Sequence, residues 1–157
     1  MTFKDFLFFG HVSEVIKVGN KILPNNNLEL IIEQEKDSPA LYRYLHTALE
    51  FEIYCIQEVI IGVSFKSDDN PINHTFFLDK NGKTELKSKT DLQKFINYIE
   101  AVGCIWLIDK MDTGGKLLAI KINENAKVMY DFNTHHFGFY QIIYFDNKLY
   151  ESMKPHN

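Results

Sequence analysis

Between Cys104 and Tyr150, five strand-like apolar runs follow one another with only short polar connectors between them. The runs cover residues 104–108, 117–122, 128–132, 137–145 and 148–150. The breaks fall at Asp112-Thr113-Gly114-Gly115, Asn123-Glu124-Asn125, Asn133-Thr134 and Asp146-Asn147. A parallel crossover needs a dozen residues or more, so connectors this short force neighbouring strands to run antiparallel. Run 137–145 is apolar on both parities, which is the pattern of a strand covered on both sides in the middle of a sheet.

The first two thirds of the chain mix helix and strand signals. Phe3, Phe6, Leu7, Phe8 and Phe9 make a short apolar N-terminal element, helix or strand, that docks on the core. Runs 12–18 and 28–34 flank the turn signal Pro24-Asn25-Asn26-Asn27 and read as a hairpin. Ser38 and Pro39 look like an N-cap and first helical residue, and Leu41, Tyr44, Leu45, Ala48 and Leu49 recur at helical spacing behind them. From Phe51 to Phe65 the pattern blurs, with a strand expected over 58–65 from its β-branched content. A second hairpin pairs 75–78 with 84–87 around Asn81-Gly82. The best-marked helix follows: Thr90 and Gln93 as a capping box, Leu92, Phe95, Ile96, Ile99 and Val102 as its buried stripe, and Gly103 as terminator. The expectation is a single globular α+β domain over residues 1–157. It has a mostly antiparallel, twisted sheet with two principal helices packed on it.

Charge and composition exclude several function classes. The net charge is −4, and of 17 basic residues only Arg43 is an arginine, which disfavours nucleic acid as a partner. No run approaches the roughly twenty apolar residues of a spanning helix, so no membrane partner and a cytoplasmic setting are expected. Cys55 and Cys104 each sit in an apolar run and read as small buried hydrophobes.

The apparent catalytic motifs each lack a required part. Gly114-Gly115-Lys116 is followed by Leu117 and a strand, where a phosphate-binding loop needs a hydroxyl residue and a helix. Asp79 with Glu85 and Lys87 resembles pieces of a metal-dependent nuclease, but they lie on opposite arms of a tight hairpin. His135 and His136 are adjacent, so on a strand they point to opposite faces. His46 and Glu50 fall on the solvated side of the expected first helix. No catalytic residue, cofactor or metal site is therefore expected. An enzyme built on Asp79, Glu85, Lys87 or His135 remains a rival reading. A homo-oligomer joined through a sheet edge is another.

The acids are unevenly spread. Between Leu28 and Ile60, Glu29, Glu33, Glu35, Asp37, Glu50, Glu52 and Glu58 face only Lys36 and Arg43. On an extended 28–34 segment, Glu29, Glu33 and Glu35 share one face with Ile31, while Leu28, Leu30 and Ile32 share the other. An ordinary solvated strand face accounts for the same pattern. Complementary charge also steers association, so Glu29, Glu33, Glu35, Asp37, Glu50 and Glu52 are the candidate partner-binding residues. In general character the chain resembles bacterial immunity proteins of contact-dependent-inhibition and polymorphic-toxin systems. That resemblance implies a cognate toxin protein with a basic surface, a nuclease domain above all, as the partner.

Overall fold

The computed structural model describes residues 2–47, 49–66, 75–78, 85–87, 89–133 and 138–154. Its frame is an open, wholly antiparallel sheet of eight strands. The first four are β1 (Leu28–Ile32), β2 (Ala40–His46), β3 (Leu49–Ile56) and β4 (Val59–Lys66). A separate two-stranded hairpin joins β5 (Thr75–Leu78) to β6 (Glu85–Lys87). The second four are β7 (Trp106–Ile108), β8 (Leu117–Ile122), β9 (Ala126–Asp131) and β10 (Gly138–Phe145). The order across the sheet is β1-β2-β3-β4-β10-β9-β8-β7. Each half is thus a meander that starts at an outer edge and ends at the centre, where β4 meets β10. A short helix precedes each half: α1 (Phe3–Phe9) and α2 (Leu92–Ala101). A third, α3 (Asn147–Met153), follows β10 and rests against β4.

Alternation along the strands separates a covered face from an open one. On β3, Leu49, Phe51, Ile53 and Cys55 are buried, and Glu50, Glu52 and Tyr54 are half-buried. On β9, Ala126, Val128 and Tyr130 are buried, and Lys127, Met129 and Asp131 are half-buried. The covered face packs under α1, α2 and the loop that places Val12 and Ile16 in the core. Phe3 of α1 meets Phe95 and Tyr98 of α2, and Phe95 packs edge-on against Phe139 of β10 at 4.8 Å. Tyr130, buried among these rings, donates its hydroxyl to the Thr90 carbonyl at 2.9 Å.

The strands expected at 117–122 and 137–145, the central place of the latter, the 75–78 pairing and the helix before Gly103 all correspond to observed elements. Four expectations are corrected. The helix expected after Pro39 is strand β2, paired residue for residue with β3 from Ala40↔Cys55 to His46↔Leu49. Two principal helices are therefore not confirmed; the described residues hold three short ones. Segment 12–18 is not a strand. It is a tight loop in which Val12 N–H donates to the Ile16 carbonyl, and β1 pairs with β2 instead. The cap of α2 is Asp91, whose carboxylate accepts from the Gln93 and Lys94 amides. Thr90 instead accepts from the Lys87 amide, and the Gln93 side chain bonds Asn97, so no capping box forms. Residues 148–150 are helical, because Asp146 caps α3 by accepting from the Leu149 amide.

Candidate functional site: the open face and its two edges

The open face carries a cross-strand network of charge. Glu29, Arg43 and Glu52 lie side by side on β1, β2 and β3. Opposite charges set across neighbouring strands attract. Arg43 sits between Glu29 at 3.2 Å and Glu50 at 2.9 Å. Glu52 accepts from Lys66 at 2.6 Å and from the Tyr54 hydroxyl at 2.8 Å. Burial, and then the Glu52 carboxylate beside it, push the Tyr54 hydroxyl well above the ordinary tyrosine range. Toward the centre Gln141 donates to the Ser64 hydroxyl at 2.8 Å.

A second cluster lies on the other half. Lys121 and Lys127 stand directly opposite each other on β8 and β9. Like charges so placed repel. Asp109, only 4% exposed, resolves the conflict by pairing with Lys127 at 2.9 Å and Lys121 at 3.1 Å. Lys127 also holds Asp112. The Lys127 ammonium bonded to it is the main reason the Asp109 carboxyl is lowered to about 2. Burial alone would lower the Lys127 pKa, but the two carboxylates outweigh it and leave it raised.

The depressed carboxyl gives a pH prediction with a definite sign. An unfolded aspartate titrates near 3.9, so the folded Asp109 stabilises the fold fully above about pH 4. That contribution is lost as pH falls toward about 2. Urea midpoints of the wild type should drop over this interval. In Asp109→Asn the part of the drop due to this carboxyl should be missing. Parallel pH profiles for the two proteins would contradict the assignment.

The six residues expected to bind a partner divide into two groups. Glu29, Glu50 and Glu52 are matched by Arg43 and Lys66. Glu33, Glu35 and Asp37 lie beyond the end of β1, are exposed, and have no cation partner among the described residues. Glu35 and Asp37 are held in a tight turn, with Glu35 bridged to Ser38 and the Asp37 carbonyl accepting from the Tyr150 hydroxyl at 2.6 Å. His46 and Glu50 are not on a helix. His46 stacks on Tyr44 at 5.9 Å, and burial, then the N-terminal amine, lower its pKa.

Sequence reasoning raised a sheet edge as a contact for a homo-oligomer but did not say which strands form the edges. At β1, Leu30, Ile31 and Ile32 are 43–52% exposed. At β7 and its flanks, Ile105, Leu107, Ile108 and Met111 are exposed from 48% to 91%. A signal existed in residues 104–108, five uncharged residues in a row.

Along the open face runs a groove of about 510 Å³, bordered by Asp112, Lys121, Lys127, Gln141, Ile143 and Phe145. A trough of about 280 Å³ lies over Arg43, Glu50, Glu52 and Lys66. Both are open to solvent, and the charges that line them are already held in ion pairs. Cys55 and Cys104 are free, buried thiols, and burial pushes Cys55 up to about 12. Among the described residues no three His, Cys, Asp or Glu gather as metal ligands. Among them, too, no helix is long and apolar enough to cross a membrane. Asp79, His135 and His136 lie outside the described residues. Glu85 and Lys87 pair in backbone register with Leu78 and Thr75 on the small hairpin. No family model, no curated protein and no solved structure matches the chain.

Proposed function

We propose that the chain is a non-catalytic binding protein that acts as an immunity protein, capturing a basic toxin domain of the nuclease class at its β1 edge. One observation carries the reading. The apolar strip Leu30, Ile31 and Ile32 lies on a sheet edge, with the acids Glu33, Glu35 and Asp37 at its end, and among the described residues the edge has no partner strand and these acids no cation partner. Apolar edges of this kind invite another chain. Acids beside one select partners with complementary charge. Glu29, Glu50 and Glu52 frame the same surface, but Arg43 and Lys66 cancel most of their field, so they shape the contact more than they steer it.

The test is capture of a partner from the source cells, followed by association kinetics with that partner. Combined Glu33→Lys, Glu35→Lys and Asp37→Lys changes should slow association about tenfold or more at low salt and flatten its salt dependence. An unchanged rate would remove the β1 edge from the interface. Failure to recover any protein, together with turnover of a substrate by the purified chain, would remove the reading itself.

A further inference from the structure

The opposite edge of the sheet carries an inference that does not depend on the β1 reading. In β7 the backbone bonds to β8 are made by the odd-numbered positions: Asn123 N–H donates to the Ile105 carbonyl at 2.7 Å, and Asp109 N–H to the Ala119 carbonyl at 2.9 Å. In an antiparallel pair such partners alternate, so the N–H and C=O groups of Trp106 and Ile108 point away from the sheet. No described strand meets them. Around them Ile105, Leu107, Ile108 and Met111 are exposed. Natural edges are commonly guarded by charge. The β1 edge is flanked by acids, Glu29, Glu33, Glu35 and Asp37, which would repel a second copy of the same edge. Residues 104–108 have none.

We infer that β7 is the contact between two copies of this chain, paired antiparallel about a two-fold axis through Leu107. This arrangement sets Trp106 of each copy against Ile108 of the other, and the four outward backbone groups of each strand find partners. Leu107 meets Leu107 on the open face. A closed two-fold contact uses the same patch twice, which self-complementary sequence allows.

Charge complementarity selects this occupant. Glu100 lies beside Trp106, accepting its indole N–H at 3.0 Å, and Lys110 lies past the other end of the strand. Both are exposed, and neither has an ion-pair partner among the described residues. The two-fold arrangement brings Lys110 of each copy to the Glu100 end of the other. A copy docked through its β1 edge would instead build an open-ended array, since that contact uses two different patches.

Sedimentation velocity of the full chain over a concentration series tests the inference. A monomer–dimer equilibrium is expected. Leu107→Lys places two ammonium groups at the axis and should weaken the dimer about a hundredfold or more. Its circular dichroism should stay as in the wild type, because Leu107 is exposed in the single chain, while its thermal midpoint should lose the dependence on protein concentration that a dimer confers. Lys110→Glu should also weaken the dimer, and adding Glu100→Lys should restore it. A chain that stays monomeric throughout would overturn the inference. So would a ladder of larger assemblies, or a dimer lost in Leu30→Lys but kept in Leu107→Lys.

Discussion

Phe95→Ala is expected to cost the fold about 3–5 kcal/mol, the range for emptying a fully enclosed aromatic site. Phe95 has no exposed surface. Its ring lies 5.9 Å from Phe3 and 4.8 Å from Phe139, centre to centre. It therefore ties α1 and α2 to β10, the strand at the centre of the sheet. Three separate elements line the hole its removal leaves, and none can close it without pulling away from the others. The urea midpoint should fall by roughly 2 M, taking the usual dependence of stability on denaturant. Phe9→Ala is the matched control, because Phe9 is 55% exposed. A midpoint for Phe95→Ala no lower than that of the control would show that the helices are not held through this ring.

The second large effect is expected at Gly10, and Gly103 provides the comparison. Gly10 ends α1 in the left-handed conformation, with φ 56° and ψ 38°. A side chain there meets two obstacles. The conformation itself costs about 1–2 kcal/mol for a residue other than glycine. An added Cβ would also stand 2.6 Å from Tyr144 Cδ1 and 2.6 Å from Val18 Cγ2. The Tyr144 ring is not free to retreat, because it is buried and its hydroxyl accepts from Asn125 at 3.1 Å. Overpacking of this kind adds about 1–3 kcal/mol. Gly103 has φ 83° and nothing within 4 Å of its would-be Cβ. Gly103→Ala should therefore lose only the conformational part, and thermal midpoints should rank wild type, Gly103→Ala and Gly10→Ala in that order. Equal losses would mean that the Tyr144 ring gives way.

The second half of the sheet was more legible in the sequence than the first, and the reason lies in the turns. Asn123, at φ 53°, and the surrounding polar connector announce the β8–β9 turn. The β3–β4 turn uses Gln57 and Glu58 at φ 48° and 66°, both in a region where Asn and Gly are the usual signal. Nothing in Gln-Glu marks a reversal. The conformation is held from outside, by Gln34 accepting from the Gln57 amide at 2.7 Å and by the Ile22 amide donating to the Glu58 carbonyl at 2.7 Å. The β2–β3 turn likewise passes through Thr47 at φ 47°. With both reversals hidden, the apolar residues 41, 44, 45, 48 and 49 were free to read as a helical face. The strand state of Leu41, Tyr44 and Leu45 is decided by pairing with β3, a tertiary effect that local propensity does not contain.

The candidate site was legible to the extent that charge is local. The excess of acid in the first half is plain in the sequence, and so are the six carboxylates proposed from it. Which of them stay unpaired was not, because Arg43 and Lys66 reach Glu29, Glu50 and Glu52 across strands. The Asp109 cluster was hidden for the same reason. Its two lysines become neighbours only when β8 pairs with β9.

The central seam of the sheet also orders events in time. Within each half every strand pairs with the one before it, so those contacts close short loops and can form quickly. The seam is different. It sets Val63 against Tyr144, from opposite halves of the chain. Until it closes, β4 is an open edge whose residues from Ile60 to Phe65 are all buried in the finished fold. The topology leads us to expect the docking of the two half-sheets to be the late, slow step of folding. A chain stalled before it offers its most apolar strand to any neighbour in the same condition.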